Sequence, residues 1–274
     1  MDHYCVFGNP IKQSRSPFIH QKFAEQTQQS LTYTTQLADI KMFTKAVNSF
    51  INTGGKGANV TAPFKEEALL LCDGLSETAK KAGAVNTLSF IDGKILGDNT
   101  DGYGLVQDLL RHNIPLKDSR ILLLGAGGAA RGVILPLLTQ MPTSITIANR
   151  TESKAEQLCQ QFSNNKLKGC SLDAISILSY DLIINATSAS LSGTFPEIPA
   201  DIITKHTFCY DMAYSKNPTP FLLWCKKHGA ERMSDGLGML VGQAAVSFKI
   251  WRNIMPEIDP VINQLKEKLE NEQA

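Results

Sequence analysis

Short apolar runs alternate with helix-length segments from the start of the chain. "YCVFG" (4–8) reads as a strand and 17–29 as a helix. "LTYTTQL" (31–37) reads as a strand, 40–53 as a helix and "GANVT" (57–61) as a strand. Helices are expected near 64–72 and 76–82. The stretch 84–100 reads as a hairpin turning at Asp92-Gly93, because Asp-Gly between apolar strands favours a tight turn. A helix starts near Asp101, and "RILLLGAGGAARGVILPLL" (120–138) opens a second strand–helix series. Further strands are expected at 144–149, 180–187 and 207–213, and helices near 239–254 and 258–271. This alternation predicts an α/β chain with a mainly parallel, helix-covered sheet. Residues 239–254 have no strand of their own to cover, so they are expected to return to the first domain. The expected division is 1–101 plus 239–274 against 102–238.

Composition narrows the function classes. The 274 residues can hold a sizeable core and two domains. Their 27 basic and 26 acidic residues give no broad field for nucleic acid or membrane. No apolar run approaches the roughly 20 residues of a membrane span. The first ten residues lack the basic and apolar regions of a signal peptide, so a cytoplasmic location is expected. The six cysteines are scattered without a CxxC pair, which argues against a metal site and for buried thiols.

Dinucleotide chemistry enters at "ILLLGAGGAAR" (121–131), a strand, a glycine turn and a helix start in order. Gly125 permits the tight turn, and Gly127 lets backbone approach a pyrophosphate that the helix N-terminus favours. Ala130 replaces the third glycine, which the fingerprint allows. A turn that merely packs closely is the plainer alternative. The next strand ends "IANRTESK" (147–154), with no acid for a ribose 2′-hydroxyl. Arg150 can stack on and bond a phosphate, with Lys154 a turn away, which favours NADP over NAD. A solvated basic turn is the other reading.

The first domain holds small polar residues in loops. Ser14 and Ser16 precede Pro17, where they can cap a helix or hold a carboxylate. Asp101 can cap the following helix, and Asn86 can be a buried structural amide. Pro63 reads as the first residue of a helix, which puts Lys65 in a first turn where the dipole disfavours a cation. Lys65 is then either an ordinary surface lysine or a cation wanted for chemistry. A reductase must supply a proton to the oxygen of the carbonyl it reduces. A lysine held by a carboxylate can do so, which makes Lys65 with Asp101 a candidate pair.

With these segments together, the chain resembles the shikimate dehydrogenase family, most of all its biosynthetic bacterial form. The matching stretches are "VFGNPIKQSRSP" (6–17), "GANVTAPFKE" (57–66), "GAVNTL" (83–88), "GDNTDGYG" (97–104), "GAGGAAR" (125–131), "NRTESKA" (149–155), "INATS" (184–188), "YDMAY" (210–214) and "DGLGMLVGQAA" (235–245). The resemblance implies two domains separated by a cleft, a substrate domain and a Rossmann-type NADP-binding domain. It implies NADPH-dependent reduction of 3-dehydroshikimate to shikimate, in aromatic amino-acid and chorismate biosynthesis, with Lys65 catalytic and Asp101 its partner. Ser14, Ser16 and Tyr214 would face the substrate carboxylate; Thr61, Lys65, Asn86, Asp101 and Gln243 would face the ring hydroxyls. In the cofactor loop that Gly125 turns, Ala126, Gly127, Gly128, Ala129 and Ala130 would hold the pyrophosphate, and Asn149, Arg150, Thr151 and Lys154 the 2′-phosphate. Met212 and Gly236 would lie near the nicotinamide, and Glu77 falls where some members have a cofactor contact. Two departures, Ala62 for a usual valine and "NATSAS" (185–190) for a usual glycine after the serines, are expected to touch no chemical group. A homodimer is compatible with the sequence. The rivals are a relaxed quinate/shikimate dehydrogenase using NAD, and a non-catalytic NADP-responsive protein that kept the fold.

Overall fold

The structure, a computed structural model, describes residues 1–272, apart from the side chain of Leu191. The last two residues of the segment expected at 239–274 therefore lie outside the described residues. The chain forms two compact units, Met1–Gly104 with Leu240–Ala274, and Leu105–Met239.

The first unit runs β1 (Asp2–Gly8), α1 (Ser16–Thr27), β2 (Leu31–Leu37), α2 (Phe43–Asn52), β3 (Gly55–Val60), α3 (Lys65–Leu70), β4 (Gly74–Leu75), α4 (Glu77–Ala82), β5 (Thr87–Ile91), β6 (Lys94–Asp98) and the start of α5 (Asp101–Arg111). Its six described strands lie in the order β2-β1-β3-β5-β6-β4. β1, β2 and β3 are parallel, whereas β5 runs antiparallel to both β3 and β6. The sheet is thus mixed, with three parallel pairings, β4–β6 among them, and two antiparallel ones. The reason is the β5–β6 hairpin, which turns where expected: Asp92 and Gly93 both take positive φ, as a two-residue primed turn requires. One face buries Cys5, Phe7, Ala58 and Val60 against Phe43, Phe64 and Leu88.

The second unit continues through β7 (Arg120–Leu124), α6 (Gly128–Thr139), β8 (Ser144–Ala148), α7 (Glu152–Phe162), β9 (Leu167–Cys170), β10 (Leu182–Asn185), β11 (Phe208–Asp211), α8 (Pro220–Lys227) and β12 (Arg232–Asp235). The chain then enters α9 (Leu237–Arg252), which ends in the first unit, and closes with α10 (Asp259–Asn271). The second sheet has six described strands in the order β12-β11-β10-β7-β8-β9, all parallel. Counted along the chain this is 3-2-1-4-5-6 read from the β9 edge, the dinucleotide-binding order. Successive residues of β7 serve two cores: Ile121 and Leu123 pack with α6, while Leu122 and Leu124 pack with Phe221 and Cys225 of α8. That two-sided burial is why β7 reads as a continuous apolar run.

Three short strands, β4, β9 and β12, are not marked by the apolar pattern, and each sits at or beside a sheet edge where burial asks little of it. The start of α3 also differs from the expectation. Phe64 N–H bonds the Thr61 carbonyl (3.1 Å), closing a turn over residues 61–64. Pro63 lies in that turn, and the helix begins at Lys65.

Candidate active site

The loops that carry the first unit's polar residues leave the C-terminal ends of β1 and β3. Asn9 N–H bonds the Ala62 carbonyl (3.2 Å) and Thr61 N–H bonds the Phe7 carbonyl (2.9 Å), so the two loops are laced together. Gly8 lets the loops pack this closely: a Cβ would stand 2.5 Å from Thr61 Cγ2 and 2.7 Å from Ile11 Cδ1, and both side chains would have to shift. The serine loop follows. Ser14 Oγ accepts the Ser16 N–H (3.3 Å), while α1 has Arg15 at its N-cap and no side-chain cap bond. Ser16 is buried, beside Tyr33.

Lys65 is the first residue of α3, and its carbonyl accepts the Val85 N–H (2.8 Å), which stitches it to the strand before Asn86. Lys65 Nζ lies 2.6 Å from Asp101 Oδ2. The other carboxylate oxygen, Asp101 Oδ1, accepts from Asn86 Nδ2 (2.8 Å). Gln243 Oε1 lies 3.4 Å from the same amide nitrogen. Gln243 reaches this point because α9 crosses α5 closely: a Cβ on Gly242 would stand 3.0 Å from Gly104 Cα. Lys65, Asp101, Asn86 and Gln243 therefore form one cluster. Two of its side chains donate charge-assisted or neutral bonds to one carboxylate. Half-exposed Lys65 keeps an ammonium face for a further acceptor.

Tyr214 lies in the second unit, on the loop after β11. Glu77 is exposed in the first turn of α4, where Ser76 caps Ala79 N–H and an acid suits the helix dipole. Its position has an account without a cofactor.

In the second unit the strand ends make a dinucleotide cradle. Gly125 has φ +106 and its N–H bonds the Ala148 carbonyl (2.8 Å), a conformation that L side chains avoid. Added Cβ atoms at Gly127 or Gly128 would meet nothing within 4 Å, so the backbone there faces open space. The twelve-residue α6 begins at Gly128 with no side-chain cap and no acid in its first turn. Its orphan N–H groups and positive dipole end suit a pyrophosphate. Ala126 and Ala129 flank the turn, while Ala130 is buried against the sheet. At the tip of β8, Asn149 Nδ2 donates to the Thr151 carbonyl (2.9 Å), and Arg150, Thr151 and Lys154 are exposed. Two cations, with no acid at the strand end itself and Glu152 in the first turn of α7, fit a 2′-phosphate. Met212 and Gly236 touch: a Cβ on Gly236 would collide with the Met212 backbone.

The "NATSAS" departure does touch a chemical group. Buried Asp211 accepts at Oδ2 from Ser190 Oγ (2.6 Å) and Thr219 Oγ1 (2.6 Å). Its Oδ1 accepts from Asn185 Nδ2 (3.2 Å) and Ala213 N–H (3.1 Å). Ser190 thus ties the loop after β10 to β11. Residue-by-residue reading also missed the buried hydroxyls of Thr87, Thr100 and Ser247 under Asn86. One signal was available: Ser247 lies four residues after Gln243, on the same face of α9.

Fold and cradle define a two-unit α/β protein of the Rossmann-type, dinucleotide-binding class. Three family models match the chain: the shikimate dehydrogenase substrate binding domain over residues 6–88, shikimate / quinate 5-dehydrogenase over 108–209, and the shikimate 5′-dehydrogenase C-terminal domain over 236–266. The shikimate dehydrogenase (NADP(+)) of Colwellia psychrerythraea is 60% identical over 268 residues, covering 98% of each chain. Among solved structures, an Ael1 enzyme from Pseudomonas putida superposes with a TM-score of 0.94 at 43% identity, covering 97% of this chain and 98% of the other. A shikimate 5-dehydrogenase from Thermus thermophilus, in complex with NADP(H) and shikimate, gives 0.87 at 28% identity, covering 98% and 100%. The chain belongs to the shikimate dehydrogenase family.

Proposed function

We propose that this chain catalyses the reversible, NADPH-dependent reduction of 3-dehydroshikimate to shikimate, the step its relatives' names describe, and so serves chorismate and aromatic amino-acid biosynthesis. The observation that carries the reading is the 2.6 Å Lys65–Asp101 pair beside the Asn86 amide, in a chain whose other unit has an NADP-fitting cradle.

The unit with residues 1–104 and 240–274 is assigned the substrate, and the unit 105–239 the cofactor. Gly125 to Ala130 would take the pyrophosphate on backbone N–H groups, and Asn149, Arg150, Thr151 and Lys154 the 2′-phosphate. Met212 and Gly236, in contact with each other, would flank the nicotinamide. Bound NADPH supplies the hydride that the C3 ketone accepts. Lys65 donates a hydrogen bond to the C3 oxygen, stabilises charge that grows there and delivers the proton. Asp101 holds the ammonium in place and accepts from Asn86, so neither charge is left unpaired as water is excluded. Ser14, Ser16 and Tyr214 are assigned the carboxylate; Thr61, Asn86 and Gln243 join the pair on the ring hydroxyls. Glu77 is left out of the cofactor set, since an acid gains nothing beside phosphates. A cytoplasmic location suits six free thiols.

Purified protein mixed with shikimate and NADP⁺ should form NADPH, followed by its absorbance. No shikimate-dependent signal would overturn the reading. Comparing kcat/KM for both nicotinamide cofactors and for shikimate and quinate separates it from the relaxed NAD-using rival, which Arg150 and the acid-free β8 tip disfavour.

A further inference from the structure

Four buried side chains beneath the Lys65–Asp101 pair close on themselves. Asn86 is 2% exposed, Thr87 1%, and Thr100 and Ser247 0%. They come from four places: the residue before β5, the first residue of β5, the residue before α5, and the middle of α9. Hydroxyls so deeply buried must find partners or lose stability. The distances are 2.9 Å from Asn86 Nδ2 to Thr100 Oγ1, 3.2 Å from Thr100 Oγ1 to Ser247 Oγ, 2.8 Å from Ser247 Oγ to Thr87 Oγ1, and 2.8 Å from Thr87 Oγ1 to Asn86 Oδ1.

Proton counting fixes the direction. The Thr100 backbone N–H, which can only donate, lies 2.9 Å from Asn86 Oδ1. The amide oxygen therefore faces the hydroxyls and the nitrogen faces Asp101. Thr87 has the shorter approach to that oxygen, 2.8 Å against 3.2 Å for the Thr100 hydroxyl, and gives its one proton there. Ser247 is then the donor to Thr87, at 2.8 Å rather than the 3.1 Å to the Gln243 carbonyl. Thr100 donates to Ser247 and accepts from Asn86 Nδ2. Every hydroxyl in the ring gives one proton and receives at least one from a ring neighbour, so each bond polarises the next. One of the two Asn86 amide protons is consumed in the ring, and the other points at Asp101 Oδ1.

We propose that Thr87, Thr100 and Ser247 are positioning residues of the reductase: their closed ring locks the Asn86 amide so that its remaining proton is committed to Asp101, which in turn aims Lys65. An unlocked amide can rotate its oxygen toward the carboxylate, and the repulsion would displace Asp101 and the Lys65 ammonium with it. The ring also carries α9 into the site, since Ser247 is its contribution. Asn59 braces the assembly from β3, donating to Ser247 Oγ (3.0 Å) while its own oxygen accepts from Tyr33 Oη (2.6 Å).

This inference rests on the reductase reading, and the two fail differently. The test is steady-state shikimate oxidation by NADP⁺ with the full chain and three variants. Thr87→Val keeps the shape and deletes the hydroxyl. It should lower kcat between about 10-fold and 100-fold, the scale of a sub-ångström misplacement, with the KM for NADP⁺ unchanged. Thr87→Ser restores the hydroxyl and should return most of the lost kcat. Ser247→Ala opens the ring without adding volume and should lower kcat in the same direction, and it carries the test if the valine variant does not fold. Wild-type kcat in a folded Thr87→Val or Ser247→Ala enzyme overturns the proposal, as does a serine variant no better than valine. An inactive wild-type enzyme overturns the reductase reading, and the proposal with it.

Discussion

At the scale of single residues, Lys65 has an environment that explains its otherwise unfavourable sign in a first turn. Asp101 lies 2.6 Å away and offsets the repulsion of the helix dipole. Lys65→Ala should lower kcat by about 100-fold or more while leaving the shikimate KM nearly unchanged, measured at saturating NADP⁺. A variant with full kcat would remove Lys65 from the chemistry. Arg150 carries the other residue-scale expectation. It is exposed at the β8 tip, where the strand ends without an acid, so its guanidinium is available to a phosphate. Arg150→Ala should raise the NADPH KM about 10-fold to 100-fold, the worth of a charged hydrogen bond, and leave NADH unaffected. Equal losses for the two would reject a 2′-phosphate role. Both residues were legible from local sequence, because type and position within one strand–turn–helix unit were enough to suggest them. The Ser190–Asp211 bond was not, because its partners are 21 residues apart and meet only through the β10–β11 pairing.

At the scale of elements, α1 is held by an aromatic stack rather than by a cap. His20 is fully buried, 4.1 Å from the Tyr33 ring and nearly parallel to it, with Trp251 and Phe248 on other sides. Burial pushes its imidazole down to about 3 from the ordinary 6.5, opposed by the Asn59 amide. Between those values the unfolded chain binds a proton that the native state refuses. The stability from neutral His20 is therefore whole above about 6.5 and lost as the pH falls toward about 3. Urea unfolding should show about 2 kcal/mol less stability near pH 5 than near pH 7 from this group. His20→Phe keeps the stack and should remove that part of the slope; an unchanged slope would reject it. At the end of β12, Gly236 leaves no room for a Cβ against the Met212 backbone. Gly236→Ala should lower stability by about 1–3 kcal/mol, read as a lower urea midpoint. Strongly periodic elements, α3 among them, matched their expected positions to within a few residues. The start of α3 fell at Lys65 rather than at Pro63 because a local turn closes at Phe64, whose ring also stacks on Phe43 at 4.6 Å.

At the scale of the whole molecule, each unit has its own sheet and core, and the second carries the cradle. NADP⁺ at about 100 times its Kd should stabilise the protein by about 2.7 kcal/mol, seen as a raised melting temperature, and the same concentration should do much less for Arg150→Ala. A shift equal to that of wild type would separate Arg150 from binding. By itself the sequence determined the α/β alternation, the glycine loop, the acid-free β8 tip and the hairpin turn. These depend on residues within one or two turns of each other, where propensity and period suffice. Only the tertiary structure decided the mixed first sheet, the edge strands, and the meeting of Asn86, Asp101 and Gln243 over the ring of Thr87, Thr100 and Ser247. Ser247 lies 160 residues from Thr87 along the chain. Hydroxyls so far apart carry no local pattern, and they meet only once the first unit's sheet and the returning α9 have folded together.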